Sequence, residues 1–93
     1  MELPVVYDKI PNSKKSLVRE EYIKLQGGKC YHCGVLLSSP PSSEIRSRCI
    51  DESLFPKGFL NNPIHLHHSH DTGFTLGVVH ARCNAVLWQF HGE

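Results

Sequence analysis

Apolar positions along the chain fall into short blocks separated by polar or turn-forming stretches. Residues 14–26, KKSLVREEYIKLQ, place Leu17, Val18, Tyr22 and Leu25 near helical spacing, with Glu20 and Lys24 four apart on another face. Gly27 and Gly28 end this helix as a C-terminal cap would. From residue 38 to 63 no period of either kind is sustained, and Pro40-Pro41, a serine cluster, Pro56, Gly58 and Asn61-Asn62 predict an irregular loop with a short turn around ESLFPKGF. IHLHH and FTLGVV are β-prone runs separated by SHDTG, whose Asp, Thr and Gly form turns, so a hairpin is expected. HARCNAVLWQF then predicts a helix that starts near His80 and runs almost to Gly92. The fold class expected from this order is α+β, in one domain spanning 1–93.

A chain of 93 residues can build only a small core, which usually needs a staple such as disulfides, a metal or a partner. The start MELPVVYDKIPNSKK lacks the basic-then-apolar pattern of a signal peptide, and no apolar run approaches a membrane span. A cytoplasmic protein with reduced thiols is therefore expected, and four cysteines point to metal rather than disulfides. The net charge of +1 excludes a DNA binder that works by bulk attraction. Between Lys14 and Arg48, however, seven basic residues stand against three acidic ones, a local excess that is either a nucleic-acid footprint or a solvated mixed surface.

The cysteines supply the first candidate chemistry. In CYHCG, Cys30 and Cys33 bracket a tight turn ended by Gly34, the shape of a zinc knuckle. His80 and Cys83 are three apart, so on a helix they face one way and can grip the same ion. Three thiolates and one imidazole around tetrahedral zinc leave no open position, which marks a structural site that staples the N-terminal half to the last helix. The competing reading makes Cys30 and Cys33 small buried hydrophobes and His80 a helix-capping residue, and His32 inside the knuckle is an alternative ligand. Cys49 reads as a lone reduced thiol.

The histidines supply the second. Five of the chain's seven lie between residues 64 and 80. Strand alternation puts His65 and His67 on one face and His68 and His70 on the other. Asn84, one residue past Cys83, is turned about a hundred degrees around the helix from the zinc face. His65 and His70 read either as supports for a metal or phosphate or as polar surface residues. Trp88 and His91 share the helical face of Asn84; Trp88 reads as core, and His91 as a further metal ligand or a cationic residue near a helix C-terminus.

QGGKCYHCG, HHSHDTG and LGVVHARCN, in that order, resemble the motifs QGGxCxxCG, DHDHxTG and RGLLCxxCN of the HNH (His-Me finger) nucleases, in the group typified by phage recombination endonuclease VII. The similarity covers roughly residues 17–38 and 64–91. It implies a small ββα-metal domain with a structural zinc on Cys30, Cys33, His80 and Cys83. It further implies His68 as general base, with His67 and Asn84 as ligands of a catalytic divalent metal. The chain departs from the pattern at His67, where the family has Asp, at His80, where it has Cys, and at Leu76, where it tends to have an arginine that meets phosphate. The implied activity is metal-dependent hydrolysis of DNA phosphodiesters, with Mg2+, Mn2+ or Ni2+. Separately, a single His68 and a single metal site per chain predict a monomer that nicks one strand at a time rather than a homodimer. The alternatives are a non-catalytic zinc-stabilised module that binds nucleic acid and a small protein-interaction domain.

Overall fold

The computed structural model describes residues 3–91, excluding the side chain of His91. It is a small α+β structure. Helix α1 spans Lys15–Leu25, a short α2 spans Ser43–Ser47, strands β1 and β2 span Ile64–His68 and Thr75–His80, and α3 spans Ala81–His91. The strands form an antiparallel two-stranded sheet. No helix among the described residues is long and apolar enough to cross a membrane.

The first predicted helix forms where expected, although only Val18 and Tyr22 of its apolar positions are buried, while Leu17 and Leu25 lie outside the core. Tyr22 also reaches the sheet: its hydroxyl lies 2.7 Å from the Thr75 hydroxyl in a buried contact. The core gathers Val18, Tyr22, Cys30, Leu37, Ile45, Leu66, Val78, Val79, Cys83 and Val86. Val78 and Val79 are fully enclosed, and burying a side chain of that size stabilises by about 1.5–3 kcal/mol.

Three segments cover the outer edge of β2, which would otherwise present unpaired backbone groups. The Thr75 N–H donates to the Val5 carbonyl at 2.8 Å and the Tyr7 N–H to the Gly73 carbonyl at 2.8 Å. Further along, Gln26 acts as a strand would: its Oε1 accepts from the Val78 N–H at 2.8 Å, and its Nε2 donates to the Val78 carbonyl at 2.9 Å. The Tyr31 N–H donates to the same carbonyl at 3.0 Å. This close docking needs Gly77, because a Cβ there would sit 2.7 Å from Tyr31 Cδ1 and 2.8 Å from Gln26 Oε1.

The structure refines some of these expectations and corrects others. His80 closes β2, paired with Ile64, and the helix begins at Ala81. Within 38–63 the short turn expected around ESLFPKGF forms at Glu52–Leu54, whereas α2, capped by Ser42 accepting from the Ile45 N–H, is a helix where an irregular loop is expected. Trp88 is not core: it is 42% exposed, and its contact is edge-on to Phe55 at 5.3 Å.

Candidate functional site

Gln26, Gly27 and Gly28 end α1 so that the knuckle lies against β2, where the main chain of Cys30 begins a turn. Gly34, at φ 76°, takes the left-handed conformation that closes this turn. The Gly34 N–H donates to the Cys30 carbonyl at 3.1 Å. His80 arrives from the end of β2 and Cys83 from the first turn of α3.

The four ligand atoms of Cys30, Cys33, His80 and Cys83 all lie within 4.8 Å of one another. His80 Nδ1 is 3.4 Å from Cys33 Sγ and 3.6 Å from Cys83 Sγ. Tetrahedral zinc, with Zn–S about 2.3 Å and Zn–N about 2.0–2.1 Å, sets sulfur-to-nitrogen separations of roughly 3.5 Å. The group therefore fits a zinc site.

The surroundings agree with that fit. His80 Nε2 lies 2.8 Å from the Ser39 carbonyl and 3.0 Å from the Leu36 carbonyl, so it carries the proton and leaves the Nδ1 lone pair facing the sulfurs. The N–H groups of His32 and His80 both donate to Cys30 Sγ at 3.4 Å. A hydrogen bond from Cys83 lowers the Cys30 thiol pKa most, and the same contact, together with burial, pushes Cys83 up. One sulfur thus takes the negative charge most readily, and a cation would relieve the other. His32 is not among the clustered ligands.

Apart from these four residues, a cleft of about 600 Å³ lies along β1. His65, His67, His68, His70 and Asn84 all line it, together with Tyr7, Lys15, Arg19, Phe59 and Trp88. Regular pairing of His65 with Val79 and of His67 with Gly77 keeps those two on one face of β1, and the irregularity comes after them. The ladder passes from His67↔Gly77 to His68↔Thr75, leaving Leu76 as an extra residue on β2. Such a bulge re-aims side chains, and His70 already stands in the turn beyond the strand.

His67 is buried at 3% exposure, whereas His68 is half-buried. The His68 ring stacks on Tyr7 at 4.0 Å with an 8° tilt, and His70 packs edge-on against it at 5.3 Å. Burial, then the nearby His70 and His67, hold the His68 pKa below the ordinary histidine value; Lys15 adds to this and Asp8 opposes it. His65 is also lowered, first by burial and then by Arg19, against a hydrogen bond with the Phe59 backbone. A neutral His65 accepts at Nδ1 from Asn84 Nδ2, 3.1 Å away. Asn84 is thus tied to His65, which holds its amide in the cleft. The side chain of His91 lies outside the described residues, so its place beside this group is not assigned.

Sequence reasoning missed Tyr7, Phe59, Lys15 and Arg19 as cleft residues. Lys15 and Arg19 carried a usable signal, since they are four apart on α1 and must share a face. Lys15 Nζ sits 4.4 Å from the Tyr7 ring centroid, and neither cation forms an ion pair among the described residues. Tyr7 and Phe59 had no such signal. Comparison of the chain with protein-family models, curated proteins and solved structures found no match.

Proposed function

We propose that this chain is a metal-dependent DNA endonuclease of the ββα-metal kind, in which the β1–β2 hairpin and α3 carry the reacting groups and the Cys3His centre holds them in place. One observation carries the reading: His67, His68 and Asn84 converge with the cations Lys15 and Arg19 in a single cleft. Hydrolysis of a phosphodiester needs a base for water, cations for the phosphate and a means of absorbing charge on the leaving oxygen.

His68 is the base. Its depressed pKa keeps it neutral near pH 7, and stacking on Tyr7 fixes the ring plane, so a free ring nitrogen can accept the proton of an attacking water. Lys15 and Arg19 neutralise and orient the phosphate backbone, a task for which the family pattern offers an arginine at the position of Leu76. His65 holds the Asn84 amide through its hydrogen bond, and His70 braces His68 edge-on.

His67 and Asn84 would hold the divalent cation, with the Asn84 oxygen as its ligand atom because the amide nitrogen is engaged by His65. One imidazole and one amide oxygen form a neutral donor set that fits Mn2+, Co2+ or Ni2+ better than Mg2+. When bound, the cation would act as a Lewis acid at the scissile phosphate.

The test is incubation of supercoiled plasmid with zinc-loaded protein, with and without Mn2+. Relaxed circles that appear only with the metal, and before linear DNA, are expected of a nicking monomer. DNA binding without cleavage in any divalent metal would favour the non-catalytic zinc module instead.

A further inference from the structure

The cleft has an aromatic wall that phosphodiester hydrolysis does not require. Phe59 and Trp88 line it beside Asn84 and His65. Phe55 supports both rings from behind, stacked on Phe59 at 4.8 Å and edge-on to Trp88 at 5.3 Å. Phe59 in turn stands edge-on to His65 at 4.7 Å. Trp88 is 42% exposed, and with Phe59 and Phe55 behind it forms a contiguous aromatic patch rather than a lone exposed ring.

Position and charge narrow the occupant. Trp88 follows Asn84 by four residues, one turn of α3 or about 6 Å along the axis, on the same face. Lys15 and Arg19 line the same cleft and complement a polyanion. Aromatic faces next to cations match nucleotides whose bases are open to stacking. In a duplex both faces of each base are already covered by neighbouring pairs, so the wall would have little to hold.

We infer that the Phe59–Trp88 wall stacks an unpaired base of single-stranded DNA while the adjoining phosphate lies toward Lys15, Arg19 and Asn84. This deepens the endonuclease reading and rests on it for the direction of the strand. Single-stranded DNA is then the preferred substrate.

Trp88 is the only tryptophan in the chain, so fluorescence excited at the red edge, where the three tyrosines do not absorb, reports on this wall alone. Zinc-loaded protein, without added divalent metal, is titrated with an oligothymidine strand and separately with a blunt hairpin duplex, and binding is followed in parallel by anisotropy of labelled DNA. The single strand should quench Trp88 and bind more tightly than the duplex. Phe59→Ala and Trp88→Leu should each weaken single-strand binding by about 5- to 150-fold while changing duplex binding less than twofold. Retained zinc and an unchanged circular dichroism spectrum identify variants that fold. Binding and cutting of duplex with Trp88 fluorescence unmoved by either DNA would overturn the stacking site and leave the endonuclease standing. Quenching by the single strand with no cleavage in any metal would keep the stacking site and remove the endonuclease. Absence of binding to both probes would overturn both.

Discussion

The Cys3His group and the histidine cleft both use imidazoles and are held quite differently. In the Cys3His centre, the free nitrogen of His80 is pinned by two carbonyls and Cys30 Sγ accepts from two backbone N–H groups. Cys30, His80 and Cys83 are each less than 5% exposed. In the histidine cleft ring contacts take the place of backbone hydrogen bonds: Tyr7 stacks on His68, His70 and Phe59 stand edge-on to His68 and His65, and a side-chain hydrogen bond ties Asn84 to His65. Regular strand carries His65 and His67, while a bulge and a turn carry His68 and His70. The first arrangement saturates its ligands and suits stability. The second surrounds an open cleft of about 600 Å³ and suits chemistry. Their link is covalent, since Cys83 and Asn84 are neighbours and whatever fixes the one positions the other.

Removing zinc should break this comparison most severely. Structural zinc in small peptides is worth roughly 10–16 kcal/mol of apparent binding, which meets or exceeds the entire stability of a typical domain at about 5–15 kcal/mol. Chelation should abolish the cooperative thermal melt, and added Zn2+ should restore it. A purified protein without zinc by elemental analysis that still melts cooperatively would show that the four residues are not its staple.

Gly77→Ala sharpens the comparison by loosening the scaffold without touching a ligand. The new methyl collides with Tyr31 and with the Gln26 amide oxygen, both of which are anchored to Val78. Overpacking of this kind costs about 1–3 kcal/mol, and each kcal/mol lowers Tm by roughly 4–8 °C in a domain this size. One zinc per chain should be retained. An unchanged melt would mean that the knuckle does not need its close seat on β2.

The smallest effect is metal choice in the cleft. With His67 in place of a carboxylate, nicking should run several-fold faster in Mn2+ or Ni2+ than in equal Mg2+. A clear Mg2+ preference, measured on the same plasmid, would indicate a carboxylate ligand, with Asp71 in the turn the nearest in sequence.

How legible each region was follows from the range of its contacts. The CxxC and HxxC spacings are local, so the zinc group could be named from the chain alone. The boundary at His80 could not, because VVHARC serves a strand and a helix equally well, and the decision came from cross-strand pairing with Ile64. A five-residue α2 is too short to leave a period, although its capping serine was in plain sight at Ser42. Trp88 belongs to a helix apolar on more than one side. Ala81 and Ala85, seven and three residues before Trp88, share its face and are buried, so the pattern reads as core there although the indole lines the cleft. Tyr7 lies 61 residues before His68, and no local pattern announces a stack across that distance.

The division of labour between the two groups is the central claim, and His68→Ala tests it most directly. The variant is purified with its zinc content measured, and its rate of plasmid nicking in Mn2+ is compared with that of the unaltered chain. One zinc per chain, together with nicking slowed by about 10²–10⁴-fold as expected for loss of a general base, is the predicted result. Nicking at the unaltered rate, or loss of zinc along with activity, would contradict it.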